Sequence, residues 1–373
     1  MAAAGRPPYR ADHVGSLLRP KELLDARTAH AQGKLDAAGL AAVEDKCIRQ
    51  AVRMQEDLGL FAITDGEYRR THWHTDFLAK MEGVTVKGGL SVKFRGAGQD
   101  VDFAPPVFTV TGKLKRKAGI ETDRFQFLRG LTMRTAKQCI PSPTMLHFRG
   151  GRAGIDAKAY PDLDGFFADL AGIYAEEIDE LWRLGCHYLQ IDETNFAFLC
   201  DEKMREGVKA RGDDPAKLPH VYARLINDAI KHRDPDMVVA THICRGNYRS
   251  TWAAEGSYEP VAEALFGELK VDGYFLEFDS PRAGDFAPLR FVPKGKRVVL
   301  GLVTTKSPVL ESRDTLLRRI EEATKYVPIE QLAISPQCGF ASTVEGNELT
   351  IEQQMDKLAL VVSVAREVWG SAG

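Results

Sequence analysis

The chain has 373 residues, 44% of them hydrophobic and 27% charged, with a formal net charge of −2 at neutral pH. Such a balance fits a soluble protein with a large core, and it excludes a strongly basic nucleic-acid binder or a polybasic membrane-surface protein. No apolar stretch is long enough to span a bilayer, and Met1-Ala-Ala-Ala-Gly5 lacks the charged start and apolar core of a secretory leader. Six cysteines in so long a chain do not make a disulfide framework, so a cytoplasmic setting with free thiols is expected.

Eight β-like runs are read in chain order: Ala11 to Val14, Phe61 to Thr64, Thr144 to Phe148, Tyr188 to Ile191, Val238 to Ile243, Tyr274 to Phe278, Val298 to Val303 and Leu332 to Ser335. Helical spacing of apolar residues fills many of the intervals, over Leu40 to Leu60, Pro161 to Leu184, Leu218 to His232, Glu311 to Tyr326 and Ile351 to Trp369. Near-continuous apolar runs suit strands buried on both faces, hence a parallel sheet. Eight of them alternating with helices predict a single (β/α)8 TIM-type barrel over 1–373, although Rossmann-like sheets share the alternation. A β-rich insertion over 71–140, between the second and third strands, is expected to form a lid over the C-terminal mouth. Within it, Val84 to Phe94 reads as a hairpin turning on Gly88-Gly89, and Phe108 to Gly112 as a further strand.

Polar residues gather where these runs end. In order they are His13 to Ser16, Asp65 to Glu67, His147-Phe148, Asp192-Glu193, His242 with Cys244, Glu277, Lys306 and Cys338. In a barrel such positions converge on one mouth, where catalytic groups sit. His242-Ile-Cys244 puts two ligand types on one side of a strand, because side chains two apart point the same way. Imidazole nitrogen and thiolate sulfur are zinc donors, and Cys338 offers a third. Glu277, flanked by Leu276 and Phe278, is a carboxylate that needs a partner, and a metal would be one. Taken singly, Cys244 and Cys338 also fit as small buried hydrophobes, and Asp65-Gly66-Glu67 as a plain turn.

At these residues the chain resembles the catalytic half of cobalamin-independent methionine synthases, and more closely their short single-barrel relatives. The likeness runs from Val14-Gly-Ser16 through Leu189-Gln-Ile-Asp-Glu193 and Thr241-His-Ile-Cys244 to Ser335-Pro-Gln-Cys-Gly339. It implies one Zn2+ per chain on His242, Cys244, Glu277 and Cys338, with Glu277 as the ligand an incoming thiol displaces. It further implies that Ser16 holds the carboxylate of homocysteine and that Glu67 and Asp192 hold its ammonium. His147 and Phe148 fall in the stretch that lies near the methyl donor in the family, with Phe148 where longer members carry Trp. Lys306, in Lys306-Ser-Pro308, stands where those enzymes carry a His proposed to protonate the departing folate. Lys takes that role only if burial or neighbouring charge lowers its pKa.

The function so implied is zinc-dependent S-methylation of a small-molecule thiol, homocysteine to methionine. Methyl-folate or a methylated corrinoid protein would be the donor. Two other readings stand beside it: alkyl transfer to another thiol, such as a sulfonate thiol opening an epoxide, and a non-catalytic zinc- or homocysteine-binding protein. Arg19, Arg69 and Arg70 keep the sulfonate reading open, while Glu67 and Asp192 favour an amino acid.

Overall fold

The computed structural model describes residues 5–89, 92–96, 100–104 and 106–373. In chain order the strands are β1 (Ala62–Ile63), β2 (Glu82–Lys87), β3 (Val92–Phe94), β4 (Val101–Phe103), β5 (Val107–Lys115), β6 (Thr135–Pro141), β7 (Tyr188–Glu193), β8 (Val238–Ile243), β9 (Gly273–Glu277), β10 (Arg297–Val303) and β11 (Leu332–Pro336). The helices are α1 (Lys21–Ala31), α2 (Ala37–Leu58), α3 (Thr75–Leu78), α4 (Thr122–Arg129), α5 (Met145–Phe148), α6 (Leu163–Arg183), α7 (Asn195–Phe198), α8 (Glu202–Ala210), α9 (Leu218–Ile230), α10 (Arg313–Ala323) and α11 (Ile351–Trp369).

Seven strands form one curled parallel sheet in the order β1-β6-β7-β8-β9-β10-β11. The first apolar run supplies the remaining stave. Ala11 bridges Ile334 of β11 in parallel, with Asp12 N–H donating to Ile334 O at 3.1 Å and Ile334 N–H to Arg10 O at 2.9 Å. The result is a TIM-like barrel. Its interior is filled by Tyr9, Val14, Ala62, Tyr188, Val238, Ala240, Phe275, Val299 and Ala333, while a larger core lies between sheet and helices. The long helices are amphipathic with defined starts. Asp36, Asp162 and Ser312 each accept an N–H from the first turn of α2, α6 and α10, and Thr350 with Gln353 closes a capping box on α11. Short 3-10 and π turns, instead of α-helices, link β8 to β9 and β9 to β10.

Two expectations are corrected. Thr144 to Phe148 is no strand: α5 occupies it, and the sheet strand is β6, at the end of the segment read as insertion. β6 hides from an apolar-run reading because Lys137 and Gln138 interrupt it, yet both are buried. Nor does Val84 to Phe94 fold on itself. β2 pairs antiparallel with β5, and β3 with β4, so the two strands of the expected hairpin are not each other's partners. Leu90 and Ser91, in the predicted hairpin, lie outside the described residues. Phe108 to Gly112 does fall within β5.

The inserted elements rest on the carboxyl end of the barrel. Arg95 and Trp252, in the loop after β8, exchange backbone hydrogen bonds at 2.7 and 2.9 Å, and Phe103 stacks on Tyr248 at 4.0 Å. Among the described residues no helix is long and apolar enough to cross a membrane.

A fully buried ion pair ties the first stave to β6. Asp12 accepts from Lys137 Nζ (3.1 Å), Tyr188 Oη (2.9 Å) and the N–H groups of Tyr9 (3.2 Å) and His13 (2.8 Å). The Lys137 ammonium also lies 4.2 Å from the centre of the Phe275 ring. Removing one member leaves the other charged and dry. Asp12→Ala is therefore expected to lower unfolding free energy by about 3–5 kcal/mol in denaturant titrations; a loss below about 1 kcal/mol would show the pair to be dispensable.

Candidate active site

Parallel register decides which strand ends meet. Asp192 of β7 lies beside His242 of β8, Ile243 of β8 pairs with Leu276 of β9, and Gly301 of β10 lies between Glu277 and Ser335. The chain then places His242, Cys244, Glu277 and Cys338 with one ligand atom each inside 4.8 Å of one another, all four buried. Cys244 Sγ and Cys338 Sγ are 3.5 Å apart, which is no disulfide, and all six cysteines are free.

The electrostatics of this cluster are those of a proton-sharing group. The Cys338 thiol is held well below its ordinary range, chiefly because Cys244 donates a hydrogen bond to it, with His242 adding to the effect. Cys244 is pushed well up for the converse reason, and burial adds to it. Burial opposes charging of His242, but the neighbouring Cys338 outweighs it and raises the imidazole. Glu277 is raised, first by burial and then by Cys338. Neither His242 nitrogen has a hydrogen-bond partner, although both are buried. Such a nitrogen is costly unless something binds it.

These residues fit a zinc ion. Zinc–sulfur bonds of about 2.3 Å in a tetrahedron put two sulfurs roughly 3.8 Å apart. The 3.5 Å between the two thiols needs only a small adjustment. Both ring nitrogens of His242 are without a partner, and the protons now shared among the thiols are those a metal would displace.

A small cavity opens from the cluster. Ser16, Glu67, Trp73, Asp192, Asn247 and Ser342 line it together with His242, Cys244 and Cys338. Glu67 and Asp192 are both buried, with Cys139 beside them. Burial pushes Glu67 up to about 8; Arg70 (3.3 Å away) pulls it down, while Asp192 pushes it up. Burial likewise raises Asp192 to about 6, against the pull of His242 and a 2.6 Å bond from Gln190. Two carboxyls that resist ionising together at neutral pH form a place for a cation.

Backbone strain accompanies that pair. Glu67 has φ +60°, following Gly66 at +68°. A left-handed non-glycine residue costs about 1–2 kcal/mol. Here the turn is over-determined: Asp65 Oδ1 accepts the Glu67 N–H at 2.8 Å, and Arg19 Nη2 donates to the Glu67 and Arg70 carbonyls at 3.1 and 2.7 Å. Ser16 is set by a close approach. A Cβ on Gly339 would sit 2.0 Å from Ser16 Oγ, so any other residue after Cys338 would drive that hydroxyl from its place. Ala341 N–H donates to that hydroxyl at 3.3 Å, leaving its own O–H to donate elsewhere.

Of the residues expected from sequence, Ser16, Glu67, Asp192, His242, Cys244, Glu277 and Cys338 come together at this place. Lys306 stands one step back: its ammonium donates to Asn247 Oδ1 (2.8 Å), Thr251 O (3.0 Å) and Gly246 O (3.4 Å), tying down the loop after Cys244. His147 and Phe148 lie outside the cavity. His147 Nδ1 meets Tyr222 Oη at 2.9 Å, and burial lowers the ring to about 4. Phe148 lines a neighbouring apolar cleft with Phe94, Phe198 and Ala253. Sequence reasoning missed Trp73, which has no pattern to mark it, and Asn247, which donates to Gly339 O (2.9 Å) and Ser342 Oγ (3.0 Å). The arginines are committed elsewhere: Arg19 to backbone carbonyls, Arg69 to Glu44 and Asp45, and Arg70 to Glu67 and Glu121.

The barrel thus gathers a thiol-rich donor cluster and a buried carboxyl pair at one end of its strands. Residues 11–367 match the family model of the cobalamin-independent synthase catalytic domain. The chain belongs to that family, the catalytic domains of cobalamin-independent methionine synthases, which are methyltransferases. It is 44% identical to the uncharacterized protein YxjH of Bacillus subtilis (strain 168) over 98% of this chain and 96% of that one. A crystal structure from Listeria monocytogenes, provisionally assigned as a vitamin-B12 independent methionine synthase, superposes with TM-score 0.76 at 37% identity, covering 98% of this chain and 100% of the other. The B12-independent methionine synthase of Shewanella sp. W3-18-1, in complex with selenomethionine, shares the fold with TM-score 0.73 at 23% identity, over 96% and 98% of the two chains.

The raised carboxyl of Glu67 has a signed consequence. Between the ordinary carboxylate range and about 8, the folded chain holds a proton that the unfolded chain has lost. Stability from this group is thus full at low pH and declines as pH rises through that window. Glu67→Gln is expected to flatten the pH dependence of the denaturation midpoint between about pH 5 and 8; an unchanged slope would mean that Glu67 is ionised throughout.

Proposed function

We propose that the protein is a zinc-dependent thiol S-methyltransferase that converts homocysteine to methionine. The observation that carries this reading is the junction of two sites in one cavity: the cluster of His242, Cys244, Glu277 and Cys338, and the buried pair Glu67 and Asp192. Zinc, when bound, supplies a Lewis acid that keeps a thiol deprotonated at neutral pH. His242, Cys244 and Cys338 would hold it, and Glu277 would fill a fourth place that the substrate thiol takes over.

The remaining residues bind and orient. An ammonium between Glu67 and Asp192 lets both carboxyls ionise, so binding near neutral pH releases a proton from the pair. The Ser16 hydroxyl, its oxygen engaged by the Ala341 N–H, donates to the substrate carboxylate. These contacts fix both ends of an amino acid and leave its side-chain sulfur directed at the thiol cluster, which supplies the orientation a displacement at a methyl carbon needs. Trp73 and the inserted strands act as the lid that limits water. We place the methyl donor, a methyl-folate or a methylated corrinoid protein, on the side of His147 and Phe148. Lys306 orders the loop after Cys244.

Support for an amino-acid acceptor comes from charge. Every guanidinium considered for a sulfonate is already paired or bonded to carbonyls. A sulfonate beside Glu67 and Asp192 would meet like charge.

Calorimetry with zinc-loaded protein tests the reading. Homocysteine should bind with net proton release, and a sulfonate thiol of similar length should not compete. A hydrogen bond to a charged group contributes about 1.5–3 kcal/mol, so Glu67→Gln should weaken homocysteine roughly ten- to hundredfold without loss of zinc. Cys338→Ser should lose the metal itself. Equal binding by wild type and Glu67→Gln would remove the amino-acid pocket from the account.

A further inference from the structure

Glu277 differs from the other three members of its cluster in being held by the protein at both oxygens. Oε1 accepts the Arg245 N–H at 2.9 Å, and Oε2 accepts from Arg282 Nη2 at 3.3 Å. His242, by contrast, has no partner at either nitrogen. Arg282 is itself fixed in place. It donates to Asp279 Oδ1 at 2.6 Å and to Ser280 Oγ at 2.8 Å, and its guanidinium lies 5.1 Å from the centre of the Trp252 ring. Tyr258 Oη accepts the Glu277 N–H at 3.0 Å and lies under the Arg245 side chain, whose guanidinium is 4.4 Å from the ring centre. Lys306 adds positive charge nearby, but three other acceptors occupy its ammonium.

A carboxylate in a dry site is expensive to release from a cation, because letting go leaves a bare charge. Arg282 removes that cost. It offers a counter-ion with one hydrogen bond already in place, and it weakens the carboxylate as a donor by sharing its electron density. We propose that Arg282 is the positioning residue that makes the fourth zinc position exchangeable, by receiving Glu277 as the substrate thiol arrives. The proposal rests on the thiol-activating zinc centre described above. With zinc bound, the Glu277 carboxylate would give up its place to the substrate sulfur, whose proton would leave to solvent. Glu277 stays ionised, paired with Arg282.

The test uses full-length protein loaded with cobalt(II) in place of zinc, since cobalt–thiolate absorption reports the number of bound sulfurs. Wild type should gain thiolate absorption on addition of homocysteine. Arg282→Gln should keep its metal, and with it the starting spectrum, but need roughly tenfold or more homocysteine to reach the same gain. Arg282→Lys, which keeps the charge, should fall between. Wild-type affinity in Arg282→Gln would overturn the proposal while leaving the zinc–thiol reading intact. If wild type itself gained no sulfur absorption, both would fail. Should Arg282→Gln not fold or not hold metal, Arg282→Lys decides: weakened thiol binding supports the role, and wild-type binding overturns it.

Discussion

Burying two thiols, an imidazole and a carboxyl within one small volume is the constraint around which the rest of this molecule is arranged. Each group alone prefers water or a partner, and the interior gives His242 no hydrogen bond. The cost is tolerable because the four share charge among themselves: Cys338 is driven toward thiolate while His242 gains affinity for a proton. That arrangement requires β8, β9 and β11 to end at the same height. Parallel pairing delivers this, and the Asp12–Lys137 pair in the barrel interior ties the first stave to β6 of the same sheet.

Around the cluster the chain spends conformational freedom to bring hard and soft chemistry together. Glu67 adopts a left-handed backbone so that its carboxyl turns toward Asp192, and Arg19 and Arg70 hold the turn that permits it. Gly339 lets the loop after Cys338 come against Ser16, joining the first stave to the last at the site. An acidic pocket therefore abuts a sulfur-rich one, with Asn247 and Lys306 bracing the loop between. The inserted strands cover the same loop through Arg95 and Trp252, so covering the mouth and shaping the site depend on shared residues.

Much of this was legible in the sequence where residue type and period agree. The long helices follow their apolar spacing: α11 has the predicted bounds Ile351 and Trp369, and α6 differs from its prediction by two residues at the start and one at the end. His242 and Cys244 stand out as two ligand types on one side of a strand, Cys338 as a further sulfur donor and Glu277 as a carboxylate costly in an apolar strand, and the fold brings all four together. The reading failed where polarity sits inside the barrel. Lys137 and Gln138 broke the apolar run of β6, and no local signal tells that Asp12, distant in sequence, neutralises Lys137. The apolar stretch Thr144 to Phe148 was then mistaken for the missing strand. The insertion failed for another reason: β2, β3 and β4 are short, and β2 and β4 are partly exposed, so alternation cannot choose between neighbouring and distant partners. Arg282 and Trp73 gave no sign in the sequence, since their importance lies only in what they touch.

The central claim is that a substrate sulfur joins the ion held by His242, Cys244 and Cys338. Zinc K-edge X-ray absorption, recorded on stoichiometrically loaded protein with and without homocysteine, tests it most directly. The account predicts a resting shell of two sulfurs with nitrogen and oxygen, changing to three sulfurs with loss of the oxygen. A shell that is unchanged by homocysteine would contradict it.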